Sequence, residues 1–154
     1  CPEQARQERL GLYKQKKTSD LLRGNAVHYA IEQAGHSVNL VDQPTIADIQ
    51  QATHILVITS TTGQGDIPDN LAGFFNELNS TFPMLTAKPY GIIAMGDRSY
   101  GDTFCGAGRS FDELFRDLQA QPIGHRLEID ACEDFEPWPV TQPWLQEWLA
   151  KLPH

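Results

Sequence analysis

Basic residues are scarce in this chain: 12 Lys and Arg stand against 20 Asp and Glu, a net charge of −8 over 154 residues. Nucleic-acid binding runs on clustered Lys and Arg that displace counterions from phosphates, so this balance argues against it. It argues equally against docking on an anionic membrane surface. Cysteine is scarcer still. Cys1, Cys105 and Cys132 form an odd set with no C-x-x-C and no paired ligand spacing. That is poor material for a disulfide framework and points to a reducing, cytoplasmic setting. The histidines show no metal spacing, so no metal site is expected. No apolar run approaches the roughly 18 residues that would span a bilayer, and no basic-then-apolar signal peptide opens the chain. The chain starts on Cys rather than Met, which points to a trimmed start, with residues 1–9 as a disordered or extra N-terminal segment.

What is present reads as one domain over residues 1–154, long enough to bury a core without a disulfide or metal staple. Strands are expected at residues 10–13, 37–41, 54–59, 90–96 and 126–129. HILVIT at 54–59 and YGIIAMG at 90–96 are nearly unbroken apolar runs, the pattern of strands buried on both faces of a parallel sheet. Helical spacing lies between them. Leu22, Ala26, Val27, Ala30, Ile31 and Ala34 make one stripe, with Gly35 as its stop. Leu71, Phe74, Phe75 and Leu78 make another, capped by Asp69 or Asn70. Ser110 is placed to cap a helix carrying Phe111, Leu114, Phe115 and Leu118. Pro143 is placed to open a last helix with Leu145, Trp148, Leu149 and Leu152. Trp138, Trp144 and Trp148 would pack that helix to the sheet, and a short helix is expected at 46–51. Alternating strands and helices of this kind give an α/β doubly wound sheet, whose ligands bind beyond the carboxyl ends of the strands.

Two connections at those ends have the composition of a binding site. After the third strand comes Ser60-Thr61-Thr62-Gly63-Gln64-Gly65-Asp66, and after the fourth comes Gly96-Asp97-Arg98-Ser99-Tyr100-Gly101-Asp102-Thr103-Phe104-Cys105-Gly106. Glycines let backbone approach a flat ligand and offer N–H donors, while Tyr100 supplies a face on which a planar ring can stack. The plainer alternative is a pair of glycine-rich turns with an incidental tyrosine. Cys105 stands next to this region, yet no base lies near it in sequence, and a structural role is expected.

TSTTGQGDIPDN followed by GDRSYGDTFCGAGRSFDEL resembles the two isoalloxazine loops of the flavodoxin family, in particular its short-chain bacterial members of the MioC type. The likeness is close over residues 53–135 and holds elsewhere by element order. It implies a five-stranded parallel sheet of order 2-1-3-4-5 with helices on both faces, and FMN as cofactor. Ser60, Thr61, Thr62, Gly63 and Gly65 would edge the flavin in the first loop. Met95, Gly96 and Asp97 would supply backbone contacts, Tyr100 would stack on the ring, and Phe104 and Cys105 would close the second loop.

The chain departs from the family at the phosphate. A glycine-rich loop is expected after the first strand, where amides and a helix N-terminus meet the anion, but residues 14–20 read KQKKTSD. Counting back from Gly35 puts Thr18-Ser19-Asp20 where the family has its Gly-Asn-Thr/Ser, so that Thr18 and Ser19 would cap the phosphate and Lys16 or Lys17 would supply charge. Taking Gly24-Asn25-Ala26 as the loop instead would leave about nine helical residues, some 13 Å, short for a helix covering a sheet. The first register is preferred. Its lysines either supply charge or form a solvated turn beside a lost site.

The acids are unevenly spread: residues 1–58 sum to zero and residues 59–154 carry the whole −8. Glu128, Asp130, Glu133, Asp134 and Glu136 would then rim the ligand side with Asp66, Asp97 and Asp102. The resulting expectation is a monomeric electron carrier with no catalytic residue of its own, taking electrons from a flavodoxin reductase and passing them to acceptor enzymes over an acidic face. Two other classes remain open: an interaction module of the same fold with weakened or lost FMN binding, and a small flavin-dependent quinone or nitro reductase. A phospho-acceptor receiver needs an acidic pair after the first strand, which Lys14-Gln15 does not offer.

Overall fold

The computed structural model describes residues 26–38, 41, 44–59, 66–96, 104–130 and 138–152. In chain order the elements are α1 (Ala26–Gln33), α2 (Ile46–Gln51), β1 (Ile55–Thr59), α3 (Asp69–Thr81), β2 (Pro89–Gly96), α4 (Gly106–Asp117), β3 (Gln121–Pro122), β4 (Leu127–Asp130) and α5 (Trp138–Lys151). All eight residues of β2 are buried, as its unbroken apolar run requires. β1 pairs with one edge of β2 in parallel, Ile55 opposite Tyr90 and Thr59 opposite Ala94. Both β3 and β4 pair in parallel with the other edge.

Side chains alternate along β2 and divide the core in two. Tyr90, Ile92 and Ala94 join Ile49 of α2, Phe74 and Leu78 of α3, and Phe111, Leu114 and Phe115 of α4. Ile93 and Met95 join Val27 of α1, Ile129 of β4, and Trp144, Leu145 and Trp148 of α5. Helices therefore cover both faces, and the doubly wound α/β class stands. The three expected strands at 54–59, 90–96 and 126–129 lie side by side in parallel, as the third, fourth and fifth of the expected order. Residues 10–13 lie outside the described residues. Of 37–41 only Ser37, Val38 and Val41 are described, and none is in a strand. Beside β1 lies a cavity of about 680 Å³ lined in part by Val27, Ile31, His36, Ile49 and His54.

Several boundaries differ from the sequence reading. The fifth strand comes in two pieces because the chain turns through Gly124 at φ +71°, a left-handed conformation that ends the ladder after Pro122 and lets it resume at Leu127. α3 takes in Asp69 and Asn70. Its cap is Pro68, which makes no side-chain bond but whose carbonyl accepts the amides of Leu71 and Ala72, both at 2.9 Å. α4 starts at Gly106, so Ser110 is inside it rather than at its cap. α5 starts at Trp138, so Pro143 lies within the helix, exposed, where its missing N–H costs one bond to Pro139. The short helix α2 falls where expected, and Thr45 and Asp48 form a reciprocal capping box at its start. The tryptophans also pack as expected: Trp144 and Trp148 stack with ring centroids 6.1 Å apart, and their Nε1 atoms donate to His125 O and Tyr90 O.

A chain of charges binds α4 to the sheet. Asp112, buried in α4, accepts the Tyr90 hydroxyl at 2.5 Å, Arg126 Nη1 at 2.6 Å and Arg116 Nε at 3.2 Å. Arg126 Nε also donates to Glu128 at 2.9 Å, and Arg109 grips the same carboxylate with Nε at 2.8 Å and Nη2 at 3.2 Å. Burial works to raise the Asp112 pKa, but the Tyr90 hydroxyl and the two guanidiniums outweigh it and hold it below the ordinary value. Arg109 and Arg126 do the same for Glu128.

Two outcomes are expected. Phe111 is fully buried among Phe74, Phe75 and Phe115, so Phe111→Ala should cost about 3–5 kcal/mol in urea unfolding, and a loss under about 1 kcal/mol would contradict this packing. For pH, the folded carboxylates of Asp112 and Glu128 have depressed pKa values, so their stabilisation is complete above the unfolded values near 4 and is lost as pH falls through the lower folded values. Urea midpoints should be flat near neutrality and drop below about pH 4, and Asp112→Asn/Glu128→Gln should be less stable at pH 7 but with a shallower acid limb.

Candidate functional site

The carboxyl ends of three strands meet at one edge of the sheet. Thr59 ends β1, and Gly96 ends β2 two residues beyond the Thr59–Ala94 pair. On the other side of β2, Met95 pairs with Ile129 and Gly96 with Asp130. β1, β2 and β4 therefore end side by side, and in the chain α3 follows β1 and α4 follows β2. Of the expected site residues, Lys17, Thr18, Ser19, Ser60, Thr61, Thr62, Gly63, Gly65, Asp97 and Tyr100 lie outside the described residues. Met95, Gly96, Phe104 and Cys105 are described: Met95 and Phe104 pack on opposite faces of β2, and the structure brings Gly96 and Cys105 together.

Their contact is close. A Cβ on Gly96 would stand 2.7 Å from the Cys105 amide nitrogen and 3.1 Å from its Sγ, so only glycine lets the two main chains approach this far. The connection that leaves at Gly96 thus returns against its own starting point. Cys105 turns the chain into α4 in the left-handed conformation, φ +54°. Its thiol lies 3.6 Å from Ala94 O and 3.9 Å from Ile129 O, weak bonds that tie the returning end to β2 and β4. Phe104 is buried in the core beneath.

These positions define what each residue can offer a ligand. Met95 and Cys105 have their side chains in the core, which leaves only their main chain to face the edge. Burial pushes the Cys105 thiol up to about 12, with the Glu128 carboxylate adding to the shift. It is protonated at neutral pH and engaged with two carbonyls, which removes a nucleophilic role and agrees with the structural one. No group of three or more His, Cys, Asp and Glu that could hold a metal is present among the described residues.

The acidic rim needs correction. Glu128 is held between Arg109 and Arg126, and Asp130 is buried, with 3% of its surface exposed. Neither is a free charge on the ligand side. Asp66 is exposed there, while Asp97, Asp102, Glu133, Asp134 and Glu136 lie outside the described residues. Sequence reasoning also missed Arg109. Nineteen residues separate it from Glu128, and no local spacing rule links a first-turn arginine to a later strand.

The Gly96–Cys105 approach fixes where the chain re-enters this edge before α4. Comparison with known proteins shows the family to which the arrangement belongs. The family model described as Flavodoxin matches residues 25–138. Flavodoxin YqcA of Escherichia coli (strain K12) is 38% identical over 120 residues, covering 77% of this chain and 80% of that protein. Protein MioC of the same organism is 35% identical over 122 residues, covering 79% and 82%. Among solved structures, a cysteine-to-serine mutant of flavodoxin from Pseudomonas aeruginosa superposes with a TM-score of 0.81 at 31% identity, over 92% of this chain and 95% of that one. The chain belongs to the flavodoxin family, FMN-binding proteins that carry electrons between redox partners and are not themselves enzymes.

Proposed function

We propose that this flavodoxin seats the isoalloxazine ring of FMN at the carboxyl edge formed by β1 and β2, with Tyr100 stacked on it. In this reading Ser60, Thr61, Thr62, Gly63 and Gly65 edge the ring from one side. Gly96 and Asp97 present main-chain groups from the other, Met95 adds its carbonyl or amide, and Phe104 and Cys105 hold the second connection closed from below. The observation that carries it is the Gly96–Cys105 approach, which holds the start of α4 against the carboxyl end of β2, the strand next to β1. Lys17, Thr18 and Ser19 are assigned to the phosphate, upstream of the family match at 25–138. Bound FMN supplies the electron-accepting and electron-donating chemistry. The protein's part is to exclude water from one side of the ring and aim fixed dipoles at it. No side chain has to act as acid, base or nucleophile.

The partners we infer are a flavodoxin reductase and acceptor redox enzymes in the cytoplasm, met by a monomer. Support comes from the net charge of −8 and from exposed Asp66 on the ligand edge. With Glu128 and Asp130 turned inward, the steering charge falls to Asp66, Asp97, Asp102, Glu133, Asp134 and Glu136. A competing reading, an interaction module without FMN, is favoured by one observation: residues 14–20 contain no glycine.

Titration of the FMN-free protein with FMN should quench flavin fluorescence at micromolar or lower concentration, and indifference to FMN at high micromolar would favour the interaction module. FMN should bind at least about tenfold tighter than riboflavin, with Thr18→Ala/Ser19→Ala narrowing the gap; equal affinities would remove the phosphate assignment. Reduction by an NADPH-dependent flavodoxin reductase should slow several-fold as salt rises from about 20 to 200 mM. A rate that ignores ionic strength would remove the acidic docking face.

A further inference from the structure

We propose that Arg109 is a positioning residue for the flavin site, one that sets where the returning end of the second connection lies against β2. The inference rests on the flavodoxin reading and adds to it a residue that touches neither the ring nor the phosphate.

Arg109 occupies the first turn of α4, and its amide donates to Cys105 O at 3.1 Å. Its guanidinium carbon lies 5.7 Å from the centroid of the Phe104 ring. A cation held over an aromatic face at that distance is attracted to it, more strongly where water is excluded. Phe104 has 4% of its surface exposed and directly follows the connection 97–103. The guanidinium cannot drift along that ring, because Glu128 accepts both Nε and Nη2. Such a fork fixes the plane of the group as well as its place. Glu128 is itself held by Arg126, and Arg126 by Asp112 of the same helix as Arg109.

Arg109 therefore joins two things otherwise apart: a rigid charge network spanning α4 and β4, and the Phe104–Cys105 hinge. The hinge is fastened to β2 by the Gly96 approach and by weak thiol bonds. Those contacts set its distance from the sheet, and the Arg109 plane sets the tilt of Phe104. A change of tilt at Phe104 moves the start of α4 relative to the carboxyl end of β2, where the flavin reading places the ring. Arg116 provides the contrast. It pairs with Asp112 near the end of α4 and is the more exposed partner, so it shares the network without reaching the hinge.

The test compares Arg109→Ala, Arg109→Lys, Glu128→Gln and Arg116→Ala in the full chain. In the FMN-free protein, amide exchange of a peptide covering residues 104–110 should speed up about tenfold in Arg109→Ala. It should rise less in Arg109→Lys, which keeps the charge but loses the fork, and should match the parent in Arg116→Ala. The FMN dissociation constant should follow the same order, about tenfold weaker for Arg109→Ala. The visible bands of bound flavin should shift in the Arg109 variants and stay in place in Arg116→Ala. Glu128→Gln keeps the side-chain volume and should reproduce the intermediate effect, so the test survives even if Arg109→Ala fails to fold. Equal exchange and equal FMN affinity in the Arg109, Glu128 and Arg116 variants would overturn the inference. A parent protein that does not bind FMN would instead overturn the flavin reading, and the exchange comparison would still decide whether Arg109 sets the hinge.

Discussion

The burial of β2 on both faces and both edges is the constraint on which the other elements depend. Eight residues with no exposed side chain need helices above and below and strands on either side. Tyr90, Ile92 and Ala94 call for α2, α3 and α4, while Ile93 and Met95 call for α1 and α5. A strand so enclosed can offer a ligand only its end. Gly96 is that end, and it is the residue against which the main chain returning at Cys105 closes.

How much of this was legible in sequence follows from the range of each interaction. The runs 54–59 and 90–96 were readable because strands buried on both faces leave an unbroken apolar signature. The glycine and tyrosine content of the connections 60–65 and 97–103 was read as a flat-ligand site, and both lie outside the described residues. Helix starts were not readable. Ser110, Asp69 and Pro143 are good starting residues by type, yet tertiary packing carries each helix past them: α4 back to Gly106 so that Ala107 and Gly108 bury against the sheet, α5 back to Trp138. The split of the fifth strand turns on one backbone angle at Gly124. Gly35 and Gly124 look alike in sequence, and only their surroundings separate a helix stop from a strand break.

Charge was legible in total and misread in placement. A count of acids beyond residue 58 suggested a rim, and an acidic rim steers partners only if its charges face water. Asp112, Glu128 and Asp130 belong to that count, but two are tied to arginines and the third is buried. The arginines Arg109, Arg116 and Arg126 are likewise taken up by those pairs. Pairing like this leaves the net charge at −8 while shifting its location.

Cys105 and Gly96 show why the hinge must be made of two unusual residues. A left-handed φ at a non-glycine residue is disfavoured by roughly 1 kcal/mol, and Cys105 adopts +54°. Glycine at position 105 would relieve that strain but would also lose the thiol that reaches Ala94 O and Ile129 O, leaving a void between β2 and β4. A larger side chain there would press on Gly96, whose missing Cβ already leaves room for little more than the Cys105 main chain. Serine would fit but would bring a hydroxyl that demands a stronger partner than two distant carbonyls. A small, weakly polar side chain meets all three conditions. The cysteine that sequence alone could have taken for a reactive thiol is therefore best understood as packing: it fastens the start of α4 to the ends of β2 and β4.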